Sequence, residues 1–117
     1  MSTQALDQAD PAVPFDAPLR YHVRSRTRVH DTFLVELDSY GGNGECQCED
    51  FTMRMEPLLR RGITAEQALT QKLIRLREGQ EPEDALRCWH IRHARSQFCD
   101  DVIAAMAQKE QHADTPF

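Results

Sequence analysis

The sequence has no long hydrophobic run, and none of its apolar stretches approaches the roughly 20 residues that a membrane-spanning helix needs. Its first residues also lack the basic stretch followed by an apolar one that marks a secretory leader. A membrane partner is therefore not expected, and the pattern is typical of a cytoplasmic, intracellular protein. A length of 117 residues predicts one domain with a sizeable core.

Positive charge is also in short supply, because 14 Lys and Arg residues stand against 19 Asp and Glu residues. The formal net charge of −5 argues against binding of nucleic acid by the whole surface. The charge is nevertheless zoned: four arginines lie within residues 20–28, whereas residues 31–58 are strongly acidic. Such zones leave room for one local basic face.

Cysteine is scarce, and the spacing of the four cysteines does not suit a disulfide framework. Cys46 and Cys48 are separated by one residue, which is a poor geometry for a bond between them. In a reducing cytosol, thiols that lie close together and near a histidine are more typical of metal ligands. Two such pairs are present: Cys46-Gln47-Cys48 and Cys88-Trp89-His90.

An alternation with a period of two predicts two amphipathic strands, over Tyr21–Val29 and Phe33–Asp38. We expect them to pair as an antiparallel hairpin with its turn near residues 29–32. The segment Gly41–Gly44 is a strong turn signal that leads the chain to Cys46. Residues 1–18 contain three prolines and three acids with little apolar periodicity, which predicts a disordered or loosely docked lead-in.

Helical signals dominate the second half of the chain. Pro57 is suited to open a short helical turn. Thr64, with Gln67 three residues later, forms a capping-box pattern and predicts a helix that continues to Gly79. A final helix is predicted from about Trp89 to residue 109. The folded part is therefore predicted over residues 19–110, with a helical insertion over 56–86 and a frayed tail over 111–117.

The two ligand pairs predict one structural zinc ion, Zn²⁺, held by Cys46, Cys48, Cys88 and His90. Structural zinc prefers four Cys or His ligands in a tetrahedron without an open position. The first pair lies on the turn after the hairpin, and the second lies at the start of a helix, whose N-terminus favours a thiolate. Three thiolates and one neutral imidazole leave one net negative charge, and arginines at positions 54, 87 and 92 are near enough in sequence to offset it.

This pattern resembles the SWIM zinc finger, a family with Cys-x-Cys, a variable stretch and then Cys-x-His. The resemblance extends to the step Glu49-Asp50-Phe51 and to Cys88–Ala94, which looks like the family's helix start, and it covers about residues 21–102. The 39 residues from 49 to 87 exceed the family's usual spacing, which implies an inserted helical arm. The family implies nucleic-acid binding or protein contacts, often in DNA-processing or transposase-like proteins.

Three residues near the pattern have ordinary alternatives. Cys99 follows Phe98 on the last helix and is predicted to pack in the core rather than to bind the metal. His93 lies one helical turn after His90 and could replace it, although the Cys-x-His spacing selects His90. Trp89 is predicted to pack against the hairpin, and a stacking platform for a nucleic-acid base is the alternative.

One face of the first predicted strand carries alternating basic residues: His22, Arg24, Arg26, Arg28 and His30. This alternation spaces cations along an extended surface where phosphates can lie. The alternative is pairing of the arginines with Glu36 and Asp38 across the hairpin. Two acids do not neutralise three arginines, so a local basic face is expected to remain.

Together these patterns predict an α+β fold: a β-hairpin and a zinc knuckle capped by a long C-terminal helix, with a helical insertion between the ligand pairs. The sequence shows no Ser/His/Asp set, no phosphate-binding glycine loop and no paired catalytic carboxylates, so neither an enzyme nor a small-molecule substrate is expected. The expected function is a structural-zinc module that binds DNA or RNA through Arg24, Arg26 and Arg28. The alternative is a protein–protein interaction adaptor that uses the arm Thr64–Arg77.

Overall fold

The computed structural model describes residues 12–15, 17–25 and 31–113, and it describes side chains at 12, 19–25 and 31–108. The predicted α+β class is confirmed, with a long C-terminal helix that follows the sheet and with a helical insertion. The sheet order is β1-β2-β3-β4, with strands at Val13–Phe15, Ala17–Arg24, Thr32–Glu36 and Glu45–Cys46. Within these ranges, no helix combines the length and the apolar character that crossing a bilayer requires.

The hairpin of β2 and β3 forms as the alternation predicts. Tyr21 pairs with Val35, and both side chains are buried. Val23 pairs with Phe33, and here Val23 is buried while Phe33 is partly buried. Because side chains alternate across a strand, Arg24, between the buried Val23 and Ser25, is exposed. Strand β2 begins at Ala17, before the predicted start at Tyr21, and ends at Arg24. The last part of the predicted strand, from residue 26 on, lies outside the described residues.

The sheet begins earlier than the sequence suggests. Strand β1 lies antiparallel to β2, with Val13 opposite His22, and Ala12 is buried. The predicted lead-in over 1–18 is therefore wrong for residues 12–15, 17 and 18, whereas residues 1–11 lie outside the described residues. The three prolines misled the prediction because an edge strand tolerates Pro14, whose missing N–H does not have to complete a ladder there.

A tight turn before β4 brings the chain to the first cysteine. The turn Ser39–Gly42 contains the left-handed residues Tyr40 (φ 54°) and Gly41 (φ 66°). Gly44 has φ 94°, and a Cβ atom there would lie 2.9 Å from Cγ2 of Ile91. Only glycine allows both this backbone conformation and this close approach to the C-terminal helix.

The predicted insertion over 56–86 is helical in three short pieces. A π-helical turn, Phe51–Met55, runs directly into α1 (Glu56–Arg60). Helix α2 (Ala65–Thr70) and a 3₁₀ turn (Pro82–Asp84) follow. Pro57 lies in the first turn of α1, as predicted.

Helix α2 begins as predicted and ends earlier than predicted. Its N-cap Thr64 forms the complete capping box with Gln67. The predicted extension to Gly79 is wrong, because Lys72 adopts a left-handed conformation (φ 58°) directly after the helix. The N–H of Leu73 then donates to the carbonyl oxygen of Ala68 at 2.8 Å, which closes a Schellman-type C-cap.

The final helix, α3, spans Trp89–Ala113. Its start is confirmed, and it continues past the predicted end, so the predicted tail is helical over 111–113 while 114–117 lie outside the described residues. The first half packs on the sheet through Ile91 and Ala94, both fully buried. Beyond Phe98 the described side chains of the helix are exposed, Cys99 among them, so its predicted place in the core is wrong.

Candidate metal centre

The structure brings the four predicted ligand residues into one cluster. The sulfur atoms of Cys46, Cys48 and Cys88 and a ring nitrogen of His90 all lie within 4.8 Å of one another. The three cysteines are buried, whereas His90 is partly exposed. Cys46 ends β4, Cys48 precedes the π-helical turn, and the second pair straddles the start of α3.

Backbone amides orient the first pair of thiols. The N–H of Cys48 donates to Sγ of Cys46 at 3.4 Å, and the N–H of Phe51 donates to Sγ of Cys48 at 3.5 Å. Such donors stabilise a thiolate and fix its direction toward a metal. The intervening Gln47 is held outside the cluster, because its Oε1 atom accepts a hydrogen bond from the N–H of Leu34 on β3 at 3.2 Å.

Aromatic rings hold the second pair. The Sγ atom of Cys88 lies 3.8 Å from Nδ1 of His90, and the ring of Phe33 packs 4.9 Å from that imidazole. Trp89 is partly buried against the core, and its ring stacks on His93 at 4.8 Å with an interplanar angle of 9°. His93 is therefore a stacking partner of Trp89 and is not part of the ligand cluster.

Hydrogen bonds connect the residues just before Cys46 to the residues around Cys88, although the long insertion separates these segments in the sequence. The side-chain nitrogen Nδ2 of Asn43 donates to the carbonyl oxygen of Leu86 at 3.0 Å. In return, Nε of Arg87 donates to the carbonyl oxygen of Asn43 at 2.9 Å. Arg95 on α3 donates to the carbonyl oxygen of Gly42 at 3.1 Å. These contacts bring the start of the Cys46 segment next to the start of the Cys88 segment.

The other side of the insertion is tied to the residues after Cys48. The carboxylate of Asp50 accepts two hydrogen bonds from Arg77, at 2.9 and 3.0 Å, and one from Arg54 at 2.7 Å. Arg87 forms an ion pair with Asp84 at 2.9 Å. Two of the arginines expected to offset the charge of the site are thus bound to carboxylates.

The three thiols share hydrogen bonds that move their pKa values in opposite directions. The sulfur of Cys48 accepts hydrogen bonds from Cys46 and Cys88, which lowers the pKa of Cys48. The pKa of Cys46 is raised, chiefly by its hydrogen bond to Cys48. For Cys88, the hydrogen bond from Cys46 lowers the pKa, but the one to Cys48 together with burial outweighs it and raises the pKa to about 12. Without a cation, the cluster therefore holds one thiolate and two thiols near neutral pH.

The donor set fits a tetrahedral metal ion. Three sulfurs and one imidazole nitrogen are the ligands that structural zinc prefers, and neighbouring ligand atoms around zinc stand about 3.6–3.8 Å apart. Sγ of Cys88 and Nδ1 of His90 are already 3.8 Å apart, and no two ligand atoms of the cluster are more than 4.8 Å apart. Small side-chain rotations bring the four atoms to this spacing. The residues present can therefore hold a metal ion.

The predicted basic face is described only in part. Arg24 is exposed on β2 opposite Thr32, whereas Arg26 and Arg28 lie outside the described residues. The carboxylate of Glu36, one of the two acids expected to pair with these arginines, instead forms a 2.6 Å ion pair with Arg20.

Sequence reasoning missed the residues that bring the ligand pairs together. Asn43 and Arg87 do this by hydrogen bonds to backbone carbonyl groups, which leave no periodic signal in a sequence. The one available hint was Asn43 within the Gly-Gly-Asn-Gly turn, since asparagine often bonds to nearby backbone. Comparison of the chain with protein-family models, with curated proteins and with solved structures finds no match.

Proposed function

We propose that this chain is a structural-zinc module in which Cys46, Cys48, Cys88 and His90 bind one Zn²⁺. The observation that carries the proposal is the convergence of three buried thiols and one imidazole within 4.8 Å. Thiolates favour zinc over the hard cations calcium and magnesium, which prefer oxygen ligands. The resemblance to SWIM zinc fingers supports the same assignment.

Zinc in this site has a structural role rather than a catalytic one. Four protein ligands complete the tetrahedron and leave no position for a water molecule that the ion could activate. The ion instead joins β4 to the start of α3, two segments that lie far apart in sequence. The proposed module is therefore not an enzyme.

Metal analysis and X-ray absorption on the purified chain test this proposal. We expect about one zinc per chain, with a first shell of three sulfurs and one nitrogen. Cys99→Ser is the matched control, because this exposed thiol lies outside the cluster and its loss should leave the spectrum unchanged. A shell of oxygen atoms, or loss of the metal in the control, would contradict the assignment.

We propose further that the module binds nucleic acid through the predicted basic face, which consists of Arg24 at the end of β2 together with Arg26 and Arg28. The exposure of Arg24 at the end of β2 supports this. These three arginines lie within five residues of the sequence, which concentrates positive charge in one short segment. The binding site is thus local and compatible with a negative net charge.

Gel-shift titrations with single- and double-stranded DNA and RNA at two salt concentrations test this second step. The double variant Arg24→Glu/Arg26→Glu should abolish binding and leave zinc content unchanged. The control Arg61→Glu/Arg75→Glu makes the same change of charge at two exposed arginines of the insertion and should retain most of the affinity. Equal losses in both variants would show that only total charge matters.

A protein-interaction adaptor is the second candidate function. The observation in its favour is the projecting half of α3, where three large apolar side chains are exposed: Val102 by 39%, Ile103 by 65% and Met106 by 59%. Exposed apolar side chains that lie together commonly mark protein contacts. If the wild-type chain shows no salt-sensitive affinity for any DNA or RNA, the adaptor function replaces the nucleic-acid one.

A further inference from the structure

An open groove crosses the insertion, and none of the four predicted metal ligands lines it. It consists of two adjoining depressions of about 630 and 420 Å³. Thr64, Ala65 and Glu83 lie in the walls of both, so the two are continuous. One end lies between α2 and the turn Pro82–Asp84, and the other reaches the turn that contains Tyr40.

The lining is apolar, with two acids along it. Its apolar side chains come from both depressions: Leu59, Ile63, Ala65, Leu69 and Pro82. Glu66 and Glu83 are exposed, and in the described part of the chain neither carboxylate has a hydrogen bond or ion pair. The one basic residue in the lining, Arg87, is bound to Asp84 at 2.9 Å. The groove therefore combines an apolar surface with uncompensated negative charge.

A strained aromatic residue forms part of one wall. Tyr40 adopts φ 54° and ψ 47°, a left-handed conformation that is unfavourable for a bulky residue. Its hydroxyl group donates to Oε2 of Glu56 at 2.7 Å, and its ring lies 6.4 Å from that of Phe51. These contacts hold the tyrosine in place, so the wall is formed before any partner arrives. A preformed groove avoids part of the ordering cost of binding.

We propose that this groove binds a short segment of a partner protein in which an apolar side chain stands next to a lysine or arginine. The apolar lining accepts the first side chain, and the carboxylates of Glu66 and Glu83 attract the cation. The same carboxylates repel phosphates, so nucleic acid and anionic lipid are unsuitable occupants. The chain's own segments 1–11 and 114–117 contain acids and no Lys or Arg, so they do not complement the groove either.

This proposal needs the zinc ion only to keep the domain folded, and it does not depend on nucleic-acid binding by Arg24, Arg26 and Arg28. Its test therefore uses the full zinc-loaded chain and begins with a measurement of zinc content for each variant. Short random peptides displayed on phage are selected on the immobilised protein, and the enriched peptides are synthesised with a fluorescent label. Binding is then measured by fluorescence anisotropy.

The enriched peptides should carry an apolar residue beside a basic one, and Glu66→Lys/Glu83→Lys should weaken their binding about tenfold or more. The control Glu78→Lys/Glu81→Lys makes the same change of charge outside the groove lining and should have a much smaller effect. Three results would overturn the proposal: no enrichment, equal losses in the two variants, or a sedimentation profile showing that a second copy occupies the groove.

Discussion

Arg87 and Asn43 face each other across the ends of the insertion, with Nε of the arginine 2.9 Å from the carbonyl oxygen of the asparagine. Arg87 directly precedes Cys88, and Asn43 comes three residues before Cys46. Their contact therefore sets the separation of the two ligand pairs before any metal binds. A binding site that is already assembled loses less free energy to ordering when the ion enters.

Replacement of Arg87 should weaken metal binding without removing a ligand. Arg87→Ala deletes the bond to Asn43 and the ion pair with Asp84, and we expect a loss of about tenfold in zinc affinity. Competition with a chromogenic chelator measures this affinity. Arg61→Ala is the control, because the side chain of that exposed arginine has no hydrogen bond or ion pair within the described residues. Unchanged affinity in Arg87→Ala would show that the ion alone sets the separation of the pairs.

Loss of a ligand should affect the whole domain. Apparent binding energies of structural zinc are about 10–16 kcal/mol near neutral pH, comparable to the stability of a domain. We therefore expect Cys48→Ser to lose the ion and its cooperative thermal transition. Cys99→Ser should change the free energy of unfolding by no more than about 0.5 kcal/mol, because the thiol is exposed. Circular dichroism melts with parallel metal analysis measure both variants. If Cys99→Ser lost the ion and the transition while Cys48→Ser kept them, the ligand assignment would be wrong.

A pair of glycine substitutions separates backbone strain from a steric clash. Gly44 (φ 94°) and Gly79 (φ 80°) are both left-handed, so alanine at either position costs about 1–2 kcal/mol. At Gly44 the new methyl group also meets Ile91 at 2.9 Å, whereas at Gly79 nothing lies within 4 Å. Overpacking adds about 1–3 kcal/mol, so Gly44→Ala should be the more destabilising by that amount in urea unfolding. Equal destabilisation by the two substitutions would mean that the turn containing Gly44 moves away from α3 without a cost in folding free energy.

Zinc affinity should rise with pH. The metal-free cluster keeps protons on Cys46 and Cys88, whose pKa values are raised, and zinc displaces both. Since two protons compete with the ion, zinc affinity falls as pH falls, by about two powers of ten per pH unit. Calorimetry in buffers of different ionisation enthalpy should show about two protons released per ion. Release of about three protons would show that Cys48 is also protonated in the metal-free cluster, despite the hydrogen bonds to its sulfur.

Tyr21 predicts a loss of stability in alkaline solution. Burial, followed by the hydrogen bond to Asp101, raises the pKa of Tyr21 to about 12. The folded state thus holds this proton more tightly than the unfolded state, and the resulting stabilisation is complete below pH 10 and lost as pH rises to about 12. The zinc-loaded protein should lose up to about 3 kcal/mol over this range.

Tyr21→Phe should make the curve flatter between pH 10 and 12, although it costs about 1 kcal/mol at neutral pH through the lost hydrogen bond. Tyr40→Phe is the comparison variant: the pKa of Tyr40 is also raised, through its hydrogen bond to Glu56, so this variant should flatten the curve to a smaller extent. Denaturant titrations at several pH values measure both effects. A curve that keeps its slope in Tyr21→Phe would assign the alkaline loss to other groups.

The ligand cluster and the elements beside it could be predicted because their signals are local. Cys-x-Cys after a glycine turn and Cys-x-His before a helix place two donors each within three residues, and the capping box at Thr64 is equally short. The end of α2 could not be predicted, since it depends on the left-handed conformation of Lys72, a residue type that rarely adopts it.

Other features depend on distant contacts. Strand β1 is stable because β2 lies beside it, and nothing within Val13–Phe15 itself indicates this pairing. Cys99 fits an apolar helical periodicity, but the described side chains of α3 from position 99 to 108 are exposed, so the apolar pattern continues past the buried part of the helix. Periodicity predicts which face of a helix is apolar and does not predict where its neighbour ends.

Trp89 gives the molecule a built-in optical reporter. It is the chain's single tryptophan, so the entire indole emission arises at the residue between Cys88 and His90. Its ring stacks on His93 and meets the ring of His90 edge-on at 5.5 Å. Any event that frees His90 from the cluster changes the surroundings of this indole. Occupancy of the site can therefore be followed in real time by fluorescence, in the unlabelled wild-type chain.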